Sequence, residues 1–235
     1  DHPAWRSYWT RRAELWPDFA ASLERLSATA MALQADAPDN GAFEVVAGLA
    51  DVLRAVSPGE HDPLSYFVED EDAYAALTRV EDPALLAQGL ARVDAGLTRA
   101  SIDFGHEEER RARLAQLEGA PIARTARGIV ASCSLPTPEL LFLKGGARQL
   151  VRLARAERLA GRTGEPLLAR ARRLALRQGS EATLIIELLV ANAELGFVHE
   201  AWLREAAARG DADRAEARAA EQVEVRHLRE RAARL

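Results

Sequence analysis

The spacing of apolar residues is that of α-helices along almost the whole chain. Apolar side chains recur three and four positions apart, and extended alternation of apolar and polar residues, as in strands, is missing. The clearest stripes are Phe43–Val46–Leu49–Leu53–Val56 and Leu86–Leu90–Val93–Leu97. The pattern therefore predicts an all-α fold, either an irregular helical bundle or an array of helical hairpins, without significant β-sheet.

Capping residues, prolines and glycines predict where helices begin and end. Asp82-Pro83 and Thr137-Pro138 each place a capping side chain before a proline, which favours a helix start, and Asp211 is a further start. Glycines predict a helix end or kink at Gly145-Gly146, a turn over Gly161–Gly164 and a helix end at Gly196.

Interruptions of the helical pattern divide the chain into four regions. We expect an N-terminal helical hairpin region at 1–56, an acidic loop or linker at 57–72, central helices at 73–135 and a C-terminal helical-hairpin region at 136–235. The linker contains two prolines, one glycine and six acidic residues, and few of its residues favour a helix. All four regions could form one domain.

The stretch from Pro166 to Ala208 contains short predicted helices joined by glycine turns. This spacing resembles the helical hairpins of tetratricopeptide repeats, a resemblance that favours a protein-binding role. The aromatic and proline positions of that repeat do not recur here at a fixed period. An irregular helical bundle therefore explains the pattern equally well.

Charge is distributed unevenly along the chain. Residues 1–120 carry 22 acidic and 11 basic groups, a net charge of −11, whereas residues 121–235 carry 14 acidic and 20 basic groups, a net charge of +6. Opposite charges of this size favour contact between the two parts, within one chain or between two. We expect the acidic and basic halves to touch.

Basic residues of the C-terminal half fall on one arc of a predicted helix. The candidate anion-binding or partner-binding residues are Lys144, Gly145, Gly146, Arg148, Arg152 and Arg155. Two glycines at a helix start would leave backbone N–H groups available to a phosphate or an acidic partner. Nucleic acid would match the charge, but Phe142 is the one aromatic residue nearby for base stacking. The alternative is a solvated face, or one paired with the acidic half.

Three tryptophans define a second candidate surface. Trp5, Trp9 and Trp16 fall along one face of the first predicted helix. Because tryptophan is enriched at binding hot spots, this face is a candidate partner surface. Anchoring of the N-terminal helix in the core is the alternative interpretation.

Motifs for catalysis, metals or cofactors are missing from the sequence. The five histidines form neither HExxH nor paired ExxH motifs. The consecutive acids Glu69–Asp72 diverge around a helix or loop and would not converge on a cation. We therefore expect no metal and no cofactor, and a protein that is more easily explained without catalysis.

The cysteine content and the composition indicate in which cellular compartment the protein is expected. The single cysteine, Cys133, excludes an internal disulfide and fits a reducing environment, so we expect a cytoplasmic protein. The longest apolar run is too short to cross a bilayer. Thirty of the 31 basic residues are arginine, a bias typical of a GC-rich bacterial genome.

Two functional hypotheses follow. The first is a non-catalytic all-helical protein-interaction module, such as an adaptor, chaperone or regulatory subunit, that binds a partner or itself. The alternative is an all-helical protein or enzyme that binds a small ligand or anion in a pocket between helices near Lys144–Arg152.

Overall fold

The computed structural model describes residue 31 and residues 38–57, 78–117, 138–183 and 185–232. Within these ranges the fold is all-α, as predicted. The seven helices described are α1 (Ala42–Ala55), α2 (Pro83–Leu97), α3 (His106–Gln116), α4 (Pro138–Leu159), α5 (Glu165–Glu181), α6 (Ile185–Arg209) and α7 (Asp211–Ala232). Two strands of two residues each, β1 (Val56–Ser57) and β2 (Arg79–Val80), pair antiparallel between α1 and α2.

Helices α1 and α2 form a closely packed antiparallel pair. Gly41, the N-cap residue of α1, lies against Gly96 of α2. Further along, Gly48 of α1 lies against Gly89 of α2. The glycines on each helix are seven residues apart, so they fall on the same face and let the two backbones touch. The predicted start at Asp82-Pro83 is confirmed, because the Asp82 side chain accepts a hydrogen bond from the backbone N–H of Leu85 at 2.9 Å.

Helix α4 packs on α1 as well as on α5 and α6, and so joins the two halves of the fold. It begins at Pro138, as predicted, and all of residues 145–155 are buried. Helix α5 follows through the predicted turn, in which Gly161 has a φ of +75°. The chain then continues through α6 and, after Gly210, through α7, which begins at the predicted Asp211.

The helix ends predicted at two glycine positions are wrong. Gly145-Gly146 lies inside α4, and Gly196 lies inside α6, which runs unbroken for 25 residues. A glycine within a helix costs only about 1 kcal/mol relative to alanine. The buried side chains around Gly196, such as Leu195 and Val198, stabilise the continuous helix by more than that. The tetratricopeptide resemblance is not confirmed, since α5 and α6 are longer than the short helices it rested on.

One hydrophobic core joins α1, α2, α4, α5 and α6, with Leu49, Val93, Leu150 and Leu174 among its buried members. A smaller cluster lies between α5, α6 and α7 around Leu195 and Leu228. Of the helices in the described part of the chain, none has an apolar stretch long enough for a bilayer crossing.

Candidate functional site

The predicted basic residues of α4 lie in the interior. Lys144 is partly buried, and the exposed fractions of Arg148, Arg152 and Arg155 are 7%, 0% and 4%. These four residues, spaced along one face of α4, are called the cationic row below. A solvated face, the alternative interpretation from the sequence, is wrong for the three arginines, because all of residues 145–155 are buried. Whether the row binds an anion or a partner stays a prediction.

The two glycines beside the row do not form the predicted anion seat. Both lie in the interior of α4, where backbone N–H groups bond to carbonyls one turn earlier. Gly146 instead allows α4 to approach α1: a Cβ atom added there would lie 2.8 Å from Cδ2 of Leu49. The glycine is therefore explained by packing.

Helix α6 supplies neighbours for three members of the cationic row, Lys144, Arg148 and Arg155. The charge of Lys144 acts on Glu194. The guanidinium of Arg148 lies 4.9 Å from the centre of the Phe197 ring, and Nη2 of Arg155 lies 3.8 Å from Oε1 of Glu200. Because these partners follow one another in the same order as the row, α4 and α6 run parallel. The cationic row of α4 therefore faces α6 inside the bundle.

Glu194 is the most deeply buried acid of this interface, with no exposed side-chain surface. Its carboxyl oxygens each accept a hydrogen bond from the amide nitrogen of Gln178 on α5, at 3.2 Å, once that amide is oriented to satisfy its neighbours. Burial raises the pKa of Glu194 to about 8, and the nearby Lys144 only partly opposes this. At neutral pH the side chain is therefore mostly a neutral carboxylic acid.

The pKa of Lys144 is affected in the opposite direction. Burial lowers it first and the neighbouring Arg148 lowers it further, whereas Glu194 raises it. Desolvation disfavours the charged form of each group, so the pair is less strongly ionised than two exposed groups would be.

A second buried polar cluster joins α5, α6 and α7. The Glu224 carboxylate accepts hydrogen bonds from both Nε and Nη2 of Arg172 and lies 2.8 Å from Nε2 of His199. Arg172 also stacks over Trp202, 5.0 Å from the ring centre. Burial alone raises the pKa of Glu224, but the hydrogen bonds from His199 and Arg172 outweigh it and the net pKa lies below the usual value. The cluster ties three helices together.

The acidic and basic halves touch within one molecule. Asp94 of α2 accepts from Nε of Arg170 at 2.9 Å and from Nη2 of Arg173 at 2.6 Å, both on α5. This confirms the intramolecular form of the predicted contact for the described residues. The side chains are between a quarter and a half exposed, so each pair contributes at most about 1 kcal/mol.

We expect the contact at Asp94 to depend on salt. At low ionic strength Asp94→Asn should lower the free energy of unfolding by about 1 kcal/mol. At 0.5 M NaCl, where the Debye length is about 4 Å, at least half of this difference should vanish. Urea unfolding of the wild type and of Asp94→Asn at the two salt concentrations measures this difference. The control is Glu108→Gln, which removes an exposed acid from α3. An equal difference at both concentrations would contradict an electrostatic role.

A small cavity lies beside Gln178, the residue that bonds to Glu194. It lies between the loop at Ile102–Phe104 and helices α4, α5 and α6, with Leu143, Leu174 and Gln178 in its wall. Its volume of about 20 Å³ admits one water molecule. Ligand pockets are usually at least ten times larger, so this cavity does not hold an organic ligand in the structure as it stands.

The sequence did not predict the roles of Glu194 and Gln178 or the bond between His199 and Glu224. One available signal was the run from 184 to 198, in which Glu187 and Glu194 are the only charged residues. An isolated acid in an apolar helix predicts a buried polar partner. The candidate tryptophans Trp5, Trp9 and Trp16 lie outside the described residues.

Comparisons with protein-family models, with curated proteins and with solved structures each found no match.

Among the residues that the structure describes, no group of three or more His, Cys, Asp or Glu side chains is arranged to hold a metal ion.

Proposed function

We propose that this chain is a non-catalytic protein-interaction module that binds a helix of another protein on the outward face of α6, formed by Ile186, Leu189, Asn192 and Gly196. The observation that carries the proposal is the exposure of Ile186 and Leu189, whose exposed fractions are 43% and 59%. They lie three residues apart and therefore on the same side of the helix. The single cysteine also favours a reducing, cytoplasmic setting for this role.

The outward face of α6 stays uncharged beyond these two apolar side chains. Asn192 and Gly196 continue the face and are exposed, and Ala193 lies beside them partly buried. The inward face of the same stretch is largely apolar, with Leu188, Ala191, Leu195 and Val198 buried. A helix that is apolar around most of its circumference is normally covered on all sides. An additional helix would cover the side that remains exposed, and the Asn192 amide would bond to a polar group of that helix.

Gly196 makes the centre of this face suitable for a close helix contact. A Cβ atom placed there would meet nothing within 4 Å. A partner helix could thus approach the backbone of α6, with Leu189 on one side of the contact. Further along the same face Glu200 and Arg204 form an ion pair at 2.7 Å, which would lie at the polar edge of the interface.

Site-specific crosslinking tests this proposal. A photoreactive amino acid is introduced at Leu189 in producing cells, and the adduct is identified by mass spectrometry. The control position is Val223 on α7, which is apolar and 63% exposed but lies on a different helix. We expect a discrete adduct from position 189 that position 223 does not give. An adduct of twice the chain mass would identify the partner as a second copy.

Binding by the purified components provides the decisive comparison. Burial of a leucine side chain contributes about 1.5–3 kcal/mol, so Leu189→Glu should raise the Kd for the crosslinked partner at least tenfold. Val223→Glu introduces the same charge on α7 and should leave the Kd unchanged. Equal affinities of the two variants, or no adduct specific to position 189, would rule out the outward face of α6 as the binding surface.

The alternative, binding of a small ligand or anion near Lys144–Arg152, has less support. The three arginines of the cationic row are buried against other parts of the protein, and the nearby cavity has room for one water molecule. A thermal-shift screen with phosphates, nucleotides and acyl compounds tests it, and a shift of several degrees with one ligand class would favour this alternative.

A further inference from the structure

Glu194 is an ionisable group at the junction of three helices. It projects from α6 and is fully buried, with Gln178 of α5 bonded to its carboxyl group and Lys144 of α4 near enough to influence its charge. Gln178 also lines the water-sized cavity, so one neutral amide separates Glu194 from that space. A change in the charge of this side chain would therefore act where α6 meets both α4 and α5.

The groups that face Glu194 do not provide a full counter-charge. From α4, Lys144 is partly buried and has a lowered pKa, and Arg148 lies over Phe197. From α5 comes the uncharged Gln178. On the α7 side, Glu224 bonds His199 and Arg172, more than one turn further along α6.

Burial in such surroundings favours the neutral acid. Transfer of a carboxylate from water into a protein interior is strongly unfavourable unless a well-placed cation and hydrogen bonds replace the water. The Gln178 amide and the partly buried Lys144 amine do not replace the water that a carboxylate would lose. The neutral form can accept from Gln178 without this penalty.

We propose that Glu194 is a proton latch: its neutral carboxyl group keeps α6 packed on α4 and α5, and its ionisation at alkaline pH loosens α6. The latch is a property of the chain alone and does not depend on the proposed partner. It is a conformational device in which one proton controls the docking of the helix that also carries the exposed Ile186 and Leu189.

The pH dependence follows from the two states of Glu194. In the unfolded chain the carboxyl group ionises near its ordinary pKa of 4.5, and in the folded protein near 8. The folded state therefore holds one proton more between these values, and stability falls as pH rises. Glu194 alone should reduce the folding equilibrium constant about tenfold per pH unit in this window, and by three to four orders of magnitude in total. Above the pKa of Glu194 in the folded protein, its contribution to stability no longer changes with pH.

Infrared spectroscopy tests the protonation state directly. At pH 7 exposed carboxyl groups are ionised, so a protonated-carboxyl stretching band that is present in the wild type and missing in Glu194→Gln belongs to Glu194. We expect this band in the wild-type protein at pH 7, its loss as the pH rises past about 8, and its absence in Glu194→Gln at every pH. A wild-type protein without the band at pH 7 would overturn the proposal, and this measurement does not require the variant to fold.

Unfolding measurements test the consequence for stability. In Glu194→Gln the loss of stability at alkaline pH should vanish. The urea midpoint of the variant should stay nearly constant from pH 6 to pH 9, whereas that of the wild type should fall. Glu200→Gln, a half-exposed acid on the same helix, is the matched control and should keep the wild-type profile. Lys144→Met should move the midpoint of the alkaline loss to higher pH, because it removes a charge that favours ionisation.

Hydrogen exchange locates the loosened element. After correction for the intrinsic pH dependence of exchange, backbone amides of α6 should lose protection between pH 7 and pH 9 in the wild type but not in Glu194→Gln. Equal protection of α6 in the two proteins at pH 9 would mean that ionisation does not loosen the helix, and the latch would be rejected.

Discussion

Replacing Gly48 with alanine should destabilise the protein by about 3 kcal/mol, although alanine is the better helix former. The Cβ atom added at Gly48 would lie 2.6 Å from the carbonyl oxygen of Gly89 and 2.7 Å from the backbone nitrogen of Val93. These contacts are with backbone atoms of α2, which cannot rotate away as a side chain can. The two helices would have to move apart, and the core residues between them would lose contacts.

Gly196→Ala is the matched control for this prediction. Gly196 also lies inside a helix, but a Cβ atom there meets nothing within 4 Å. Helix propensity alone should then raise the free energy of unfolding by about 0.5–1 kcal/mol. Urea unfolding monitored by circular dichroism distinguishes the two variants, which should shift in opposite directions. A stabilising Gly48→Ala would show that α1 and α2 do not pack as closely as the structure has them.

Glu224→Gln is expected to destabilise the protein by about 3 kcal/mol at pH 7. The substitution keeps the size of the side chain but leaves Arg172 and His199 without the carboxylate that they share. Loss of one partner from a buried charge cluster typically costs about 3–5 kcal/mol, and the partial exposure of Arg172 places this case at the lower end. The matched control, Glu216→Gln, removes an exposed acid from the same helix and should change little.

The effect of Glu224→Gln should diminish in acid. Because the pKa of Glu224 is lower in the folded protein than its ordinary value of 4.5, the carboxylate stabilises the fold fully above that value. The stabilisation is lost as the pH falls through the folded-state pKa, where the wild-type side chain also becomes neutral. Urea unfolding from pH 7 down to pH 3 should show the wild-type stability approaching that of the variant. A constant difference across this range would contradict the assigned role of the charge.

Glu194 and Glu224 should therefore act on opposite sides of neutrality. Glu194, with few polar partners, favours its neutral form and destabilises the fold as the pH rises. Glu224, with a guanidinium and an imidazole bonded to it, favours its charged form and destabilises the fold as the pH falls. Burial raises the pKa of both acids, and at Glu224 the bonds from His199 and Arg172 reverse the sign of the net shift.

Helix class and several boundaries could be predicted from the sequence because their signals are local. Asp82-Pro83, Pro138 and Asp211 all mark helix starts in the structure, and Gly161 lies in the predicted turn. Caps and prolines act on backbone groups within one turn, so these predictions do not require knowledge of the neighbouring helices. Glycine is a weaker signal, as Gly145, Gly146 and Gly196 show, since its small penalty is outweighed wherever the flanking residues are well packed.

The sequence by itself determined the helical class, these starts and which arc of each helix is polar. The tertiary structure alone decided that the polar arc of α4 faces α6 in the interior, that Glu194 loses its contact with water, and that Gly48 meets Gly89. Periodicity shows that a helix has two different sides, but the element that covers a side comes from a distant part of the chain. Burial depends on that covering element. The pKa of a buried acid, and the positions at which only glycine fits, therefore depend on it as well.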